Sequence, residues 1–221
     1  MSSIPAQPAI IKAVLSGIQA AKKNYFFWTN DRLFLSYGPQ KIITIHIAQA
    51  LGAMEDAPEI FIDATVADIL RCSLPERTAY PAYMKAMELA QGVFSITIDE
   101  RFPHESDNDS ISKVIISVKN GVRSVKQEYK KEIERICKML SPHNPSHSAL
   151  EYGIFAFYAD LSESARKKLD RRIPQIVASF DEVVAAFPLL EASFVSPGVQ
   201  RILEAGEWCA GCYVIQPKAS R

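Results

Sequence analysis

The sequence predicts an α/β protein with a mixed central sheet flanked by helices. Two observations carry that reading. Helical and strand-like hydrophobic periodicities alternate along 221 residues with no internal repeat or low-complexity tract. The two most strand-like stretches, VFSITIDERF and KVIISVKNG, are separated by one polar loop and followed by a long amphipathic segment.

The elements follow in order. Residues 8–23, PAIIKAVLSGIQAAKK, set Ile10, Ile11, Val14, Leu15 and Ile18 at helical spacing, and the aromatic-rich YFFWTNDRLFLSY comes next. In GPQKIITIHIAQALGAM, Pro39 suits a first helical position. Ile42, Ile43, Ile47, Ala50 and Leu51 share one face there, so a helix is expected despite the β-branched run from Ile42 to Ile47. After a helical stretch near 80–91, VFSITIDERF alternates as a strand, PHESDNDSIS interrupts, and KVIISVKNG resumes, which predicts a hairpin. A helix over 125–140 packing through Val125, Tyr129, Ile133, Ile136 and Leu140 is expected next, then the strand YGIFAFYA. A helix opened by Ser162, with Glu163 near its start and a kink or split at Pro174, leads to CYVIQP as an edge strand.

Composition excludes several classes. With 48% hydrophobic residues the chain can bury a full core, and a single domain over 1–221 is expected. Lys plus Arg and Asp plus Glu each number 25, so no global field draws the protein to a polyanion or an anionic membrane; any such site is local. No stretch reaches the roughly 18 apolar residues of a membrane span, and MSSIPAQPAII lacks the features of a secretory leader. Four cysteines do not make a disulfide framework in a chain this long, so reduced thiols and a cytoplasmic location are expected.

The chemistry-bearing stretch is KVIISVKNG. Val114, Ile116 and Val118 face one way, and Lys113, Ile115, Ser117 and Lys119 the other, so residues 117 and 119 are neighbours in space. A carboxylate and a lysine at two such positions, with further carboxylates nearby, hold a divalent metal beside a scissile phosphate. GPQKIITIHIAQAL, ERF, IISVKN, EIERICKML and YGIFAFY stand in an order that resembles the PD-(D/E)XK superfamily, the restriction endonuclease-like fold, over about residues 38–160. The resemblance implies that segment as the core, with the N-terminal helix, the C-terminal helices and the edge strand as elaborations. It puts the helix carboxylate position on Gln40, the strand aspartate on Pro103, the exchanged carboxylate on Ser117 and the lysine on Lys119. Three acids are replaced and the lysine is kept, which implies a metal site lost within a retained fold. Glu100 and Glu105, with Asp107 and Asp109 behind them, are candidates for relocated acids.

Other constellations point to less. WCAGC gives Cys209 and Cys212 CxxC spacing, but a redox pair needs its first thiol at a helix N-terminus, and a zinc site needs further ligands from Cys72, Cys137 or a histidine. His46, His104, His143 and His147 share no ligand spacing. Two basic faces, Lys130, Lys131, Arg135 and Lys138 and then Lys167, Lys168, Arg171 and Arg172, could grip phosphates or be plain solvated faces. The expectation is a restriction endonuclease-like protein without catalysis, a binding or partner subunit in a DNA-linked setting such as phage defence. It needs no cofactor, and Mg²⁺ or Mn²⁺ enters only with relocated carboxylates. Nucleic acid, a protein partner or a second copy are the partners weighed, and no membrane. An active metal-dependent nuclease and an interaction module unrelated to nucleases are the alternatives.

Overall fold

The structure is a computed structural model that describes residues 4–100, 110–141 and 148–218. In chain order it contains α1 (Gln7–Trp28), α2 (Gln40–Gly52), β1 (Glu59–Thr65), α3 (Val66–Ser73), α4 (Tyr80–Ala86), β2 (Val93–Glu100) and β3 (Ile111–Lys119). Then come α5 (Gln127–Leu140), β4 (Tyr152–Ser162), α6 (Leu169–Val184), β5 (Leu190–Val195), β6 (Gln200–Ile202) and β7 (Gly206–Pro217).

The alternation within KVIISVK sets the layers. Val114, Ile116 and Val118 are fully buried against α1 and α2, while Ile115 is fully buried on the side of α3, α5 and α6. Both faces of β3 are therefore covered, as its nearly continuous apolar run requires. One seven-stranded mixed sheet results, in the order β1-β2-β3-β4-β7-β5, with β6 on β7. β1, β2 and β3 form an antiparallel meander, and α5 carries the chain across to β4, which pairs in parallel with β3. The predicted hairpin and the shared sheet of YGIFAFYA are both present.

Other expectations need correction. CYVIQP is no edge: β7 lies between β4 and β5, and burial runs continuously from Trp208 to Ile215. Ser162 opens no helix, because β4 continues through it, pairing with Gly206, and α6 starts only at Leu169. Pro174 leaves α6 whole; it stands one turn inside the N-terminus, where the helix gives up a single bond, to Asp170. α5 begins at Gln127, leaving Val125 exposed ahead of it, while Tyr129, Ile133, Ile136 and Leu140 pack as expected. α2 is helical despite its isoleucines, because Ile43 and Ile47 bury against α1. Gly17 allows that close approach: a Cβ there would lie 2.5 Å from the Ile47 Cα.

Candidate functional site

The turn after β3 builds a polar cleft at the end of the sheet. Asn120 Nδ2 donates to the carbonyls of Leu35 and Gly38, both at 2.9 Å, and so ties the single 3₁₀ turn before α2 to the end of β3. Gly121 follows in the left-handed region at φ +70°, and Val122 N then donates to Tyr158 O on β4 at 3.0 Å. These bonds bring Gln40, the first residue of α2, to the same cavity of about 380 Å³ as Lys119. Tyr37, Arg123, Lys126 and Glu128 complete its charged and aromatic wall.

An ion pair between buried Asp160 and partly exposed Arg123 holds one side of the cleft. Asp160 on β4 is fully buried; it accepts from Ser36 Oγ at 2.8 Å, from Ser36 N at 3.3 Å, and from Arg123 Nη2 at 2.5 Å. Arg123 also reaches Ser36 Oγ at 2.6 Å, and its own carbonyl accepts from Arg172 Nη1 at 3.0 Å. This network was missed from sequence, because Ser36, Arg123 and Asp160 lie far apart along the chain.

Of the positions assigned by resemblance, Gln40 and Lys119 meet. Lys119 is half-buried beside Phe157, and no carboxylate pairs with it among the described residues. Ser117 is 2% exposed and pairs with Phe155 on the α5 side of the sheet. Pro103 and Glu105 lie outside the described residues, as do His104, Asp107, Asp109, His143 and His147. In an antiparallel hairpin the start of β2 lies beside the end of β3, so Ile96 pairs with Ile116, and Ser95 Oγ accepts from Val118 N at 3.0 Å. Ser95 is the β2 residue beside Ser117. Glu100 pairs with Ile111 at the opposite end of β3, about 26 Å along the strand from Lys119 at 3.3 Å per residue, and forms an ion pair with Lys113 at 3.3 Å. It cannot serve as a relocated acid.

The residues at the cleft do not fit a divalent cation, which needs anionic oxygens to offset its dehydration. Gln40, Ser95 and Ser117 are neutral. Glu128 contacts Lys126 at 3.4 Å, and Asp160 is taken by Arg123. No group of three or more His, Cys, Asp or Glu side chains able to hold a metal occurs among the described residues.

The two basic faces resolve mainly into structural contacts. Lys130 pairs with Glu182 of α6 at 2.9 Å, Lys138 with Glu134 at 3.0 Å, and Arg135 bonds Glu132 and Val93 O while covering the Phe94 ring at 4.1 Å. Lys131 is exposed. Lys167 and Lys168 precede α6 and bond Gln175 and Glu163 O, Arg172 holds Lys167 O and Arg123 O, and Arg171 is exposed. The CxxC reading fails on geometry: residues three apart on a strand point to opposite faces, and Cys209 and Cys212 belong to opposite core layers. Burial pushes both thiols up.

No helix among the described residues is long and apolar enough to cross a membrane. Comparison with protein-family models, curated proteins and solved structures gave no match.

Proposed function

We propose that the protein is a restriction endonuclease-like binding subunit whose cleft receives a nucleic-acid phosphate and does not cut it. The observation that carries this reading is that Gln40 and Lys119 line one cleft. The resemblance assigned both to a single site from segments nearly 80 positions apart. Lys119 faces the cleft with no carboxylate partner among the described residues, while Arg123 is paired with Asp160 and Lys126 with Glu128, the single acid among the lining residues. Such a site attracts a phosphate electrostatically and supplies nothing to generate or place an attacking hydroxide.

The test pairs binding with cleavage. Fluorescence anisotropy with labelled single- and double-stranded DNA should detect salt-sensitive binding, weakened by Lys119→Ala and by Lys126→Ala. The same nucleic acids, and RNA, should survive incubation with Mg²⁺ or Mn²⁺. Cleavage by the unmodified protein that Lys119→Ala abolishes would overturn the proposal and restore the active-nuclease alternative. Absence of binding to every nucleic acid tried would favour an unrelated interaction module.

A further inference from the structure

At the far end of the hairpin from Lys119, a second cavity of about 310 Å³ lies between α3 and the first three strands. Phe61, Ile62 and Ile69 form its apolar wall, and Asp68, Cys72 and Asp99 stand among its polar residues. The register shift between Ile98 and Asp99 sets Asp99 opposite Ser112 instead of Lys113. Asp99 is 3% exposed, and Ser110 and Ser112 both donate to its Oδ2, at 2.7 and 3.1 Å. Its Oδ1 has no hydrogen-bond partner among the described residues. Neighbouring cations are engaged elsewhere: Lys113 contacts Glu100 at 3.3 Å and Glu151 at 3.5 Å, and Arg71 on the cavity wall contacts Asp68 at 3.2 Å.

A buried polar atom left unbonded calls for a partner. The donor set narrows which one. A divalent cation would need several oxygens, and among the described residues one carboxylate oxygen here is left without a partner. A guanidinium binds best across both oxygens of a carboxylate, but two serines already occupy Oδ2. An ammonium needs a single strong acceptor, and its alkyl chain suits the apolar wall. We propose that this cavity binds an alkylammonium group, carried by a small amine or by a lysine side chain, with its charge on the Asp99 carboxylate and its chain against Phe61, Ile62 and Ile69.

Cys72 provides the readout. It is half-exposed on the cavity wall, whereas Cys137, Cys209 and Cys212 are buried, so iodoacetamide labels it selectively. Butylammonium should slow that labelling about tenfold at ten times its dissociation constant, because only the unliganded fraction reacts. Butanol and butyrate should leave the rate unchanged, and Asp99→Asn should lose the protection. Nα-acetyl-lysine amide identifies the source: protection equal to that by butylammonium assigns a lysine side chain, and weaker protection assigns a free amine. Equal protection by butanol and butylammonium, or protection by neither ammonium compound, overturns the proposal. Should Asp99→Asn fold poorly, the comparison of ammonium with alcohol on the unmodified protein still decides.

Discussion

Two aspartates show how far one carboxylate's surroundings set its consequences. Asp160 is buried with Arg123 and Ser36 around it. Removing a single partner of a fully buried pair costs about 3–5 kcal/mol; Arg123 is 39% exposed and the Ser36 bonds remain, so Arg123→Ala should cost about 1–2 kcal/mol in urea unfolding. Lys126→Ala, at an exposed position, should change stability by less than about 0.5 kcal/mol. Equal losses would mean that the Asp160 network contributes nothing. Asp99 behaves differently. Desolvation raises its pKa above the ordinary carboxylate value, outweighing the hydrogen bonds from Ser110 and Ser112, and the Glu59 charge opposite it on β1 adds to the shift. A raised acid pKa means that the folded state holds the proton more tightly than the unfolded state. Its contribution to stability is therefore greatest below the unfolded value near 4 and is lost as pH rises through the folded value. The stability difference between wild type and Asp99→Asn should shift against wild type as pH rises above about 4, and a pH-independent difference would refute that assignment. Neither environment was legible in the sequence. A run of letters does not reveal that a bulge turns Asp99 away from Lys113, or that Arg123 meets an acid two elements later.

Among the elements, strand β4 and helix α5 were legible because their own patterns declare them. YGIFAFYA is too apolar for an exposed position, and EIERICKML repeats its apolar residues with helical spacing. What the patterns did not declare is how closely the two approach. Gly153 in β4 lies beneath α5, where a Cβ would stand 2.4 Å from Ile136 Cγ2 and 3.2 Å from Ile115 Cγ1. Gly153→Ala should therefore overpack the layer and cost about 1–3 kcal/mol, although alanine suits a strand better than glycine. A stability equal to wild type would show that α5 can shift aside freely. Boundaries failed for a related reason. The extension of β4 to Ser162 comes from its partner β7, and partner strands leave no mark on the sequence of the strand they extend. β1, β5 and the central place of β7 were missed in the same way: EIFIDAT and LEASFV are short, mixed segments that become strands only by joining a sheet already formed.

For the molecule as a whole, the sheet decides which distant residues can share a site. Antiparallel pairing sets the start of β2 beside the end of β3, so Ser95 accompanies Ser117 and Lys119 at the cleft end. Two triple variants separate these geometries. Gln40→Glu with Ser95→Asp and Ser117→Glu places acids at the positions the ladder brings together, whereas Gln40→Glu with Pro103→Asp and Ser117→Glu places them at the positions the resemblance assigns. Introducing Glu at position 117, which is 2% exposed, buries a charge, so both variants should melt below wild type without metal. Mn²⁺ should raise the melting temperature of the Ser95 variant by binding its folded state, and should leave wild type and the Pro103 variant nearly unmoved. An equal response from the two variants would mean that the ladder does not govern the site. A response from neither would mean that Gln40, Ser95 and Ser117 do not converge closely enough to hold one ion, and the likeness to a nuclease centre would then end at Lys119.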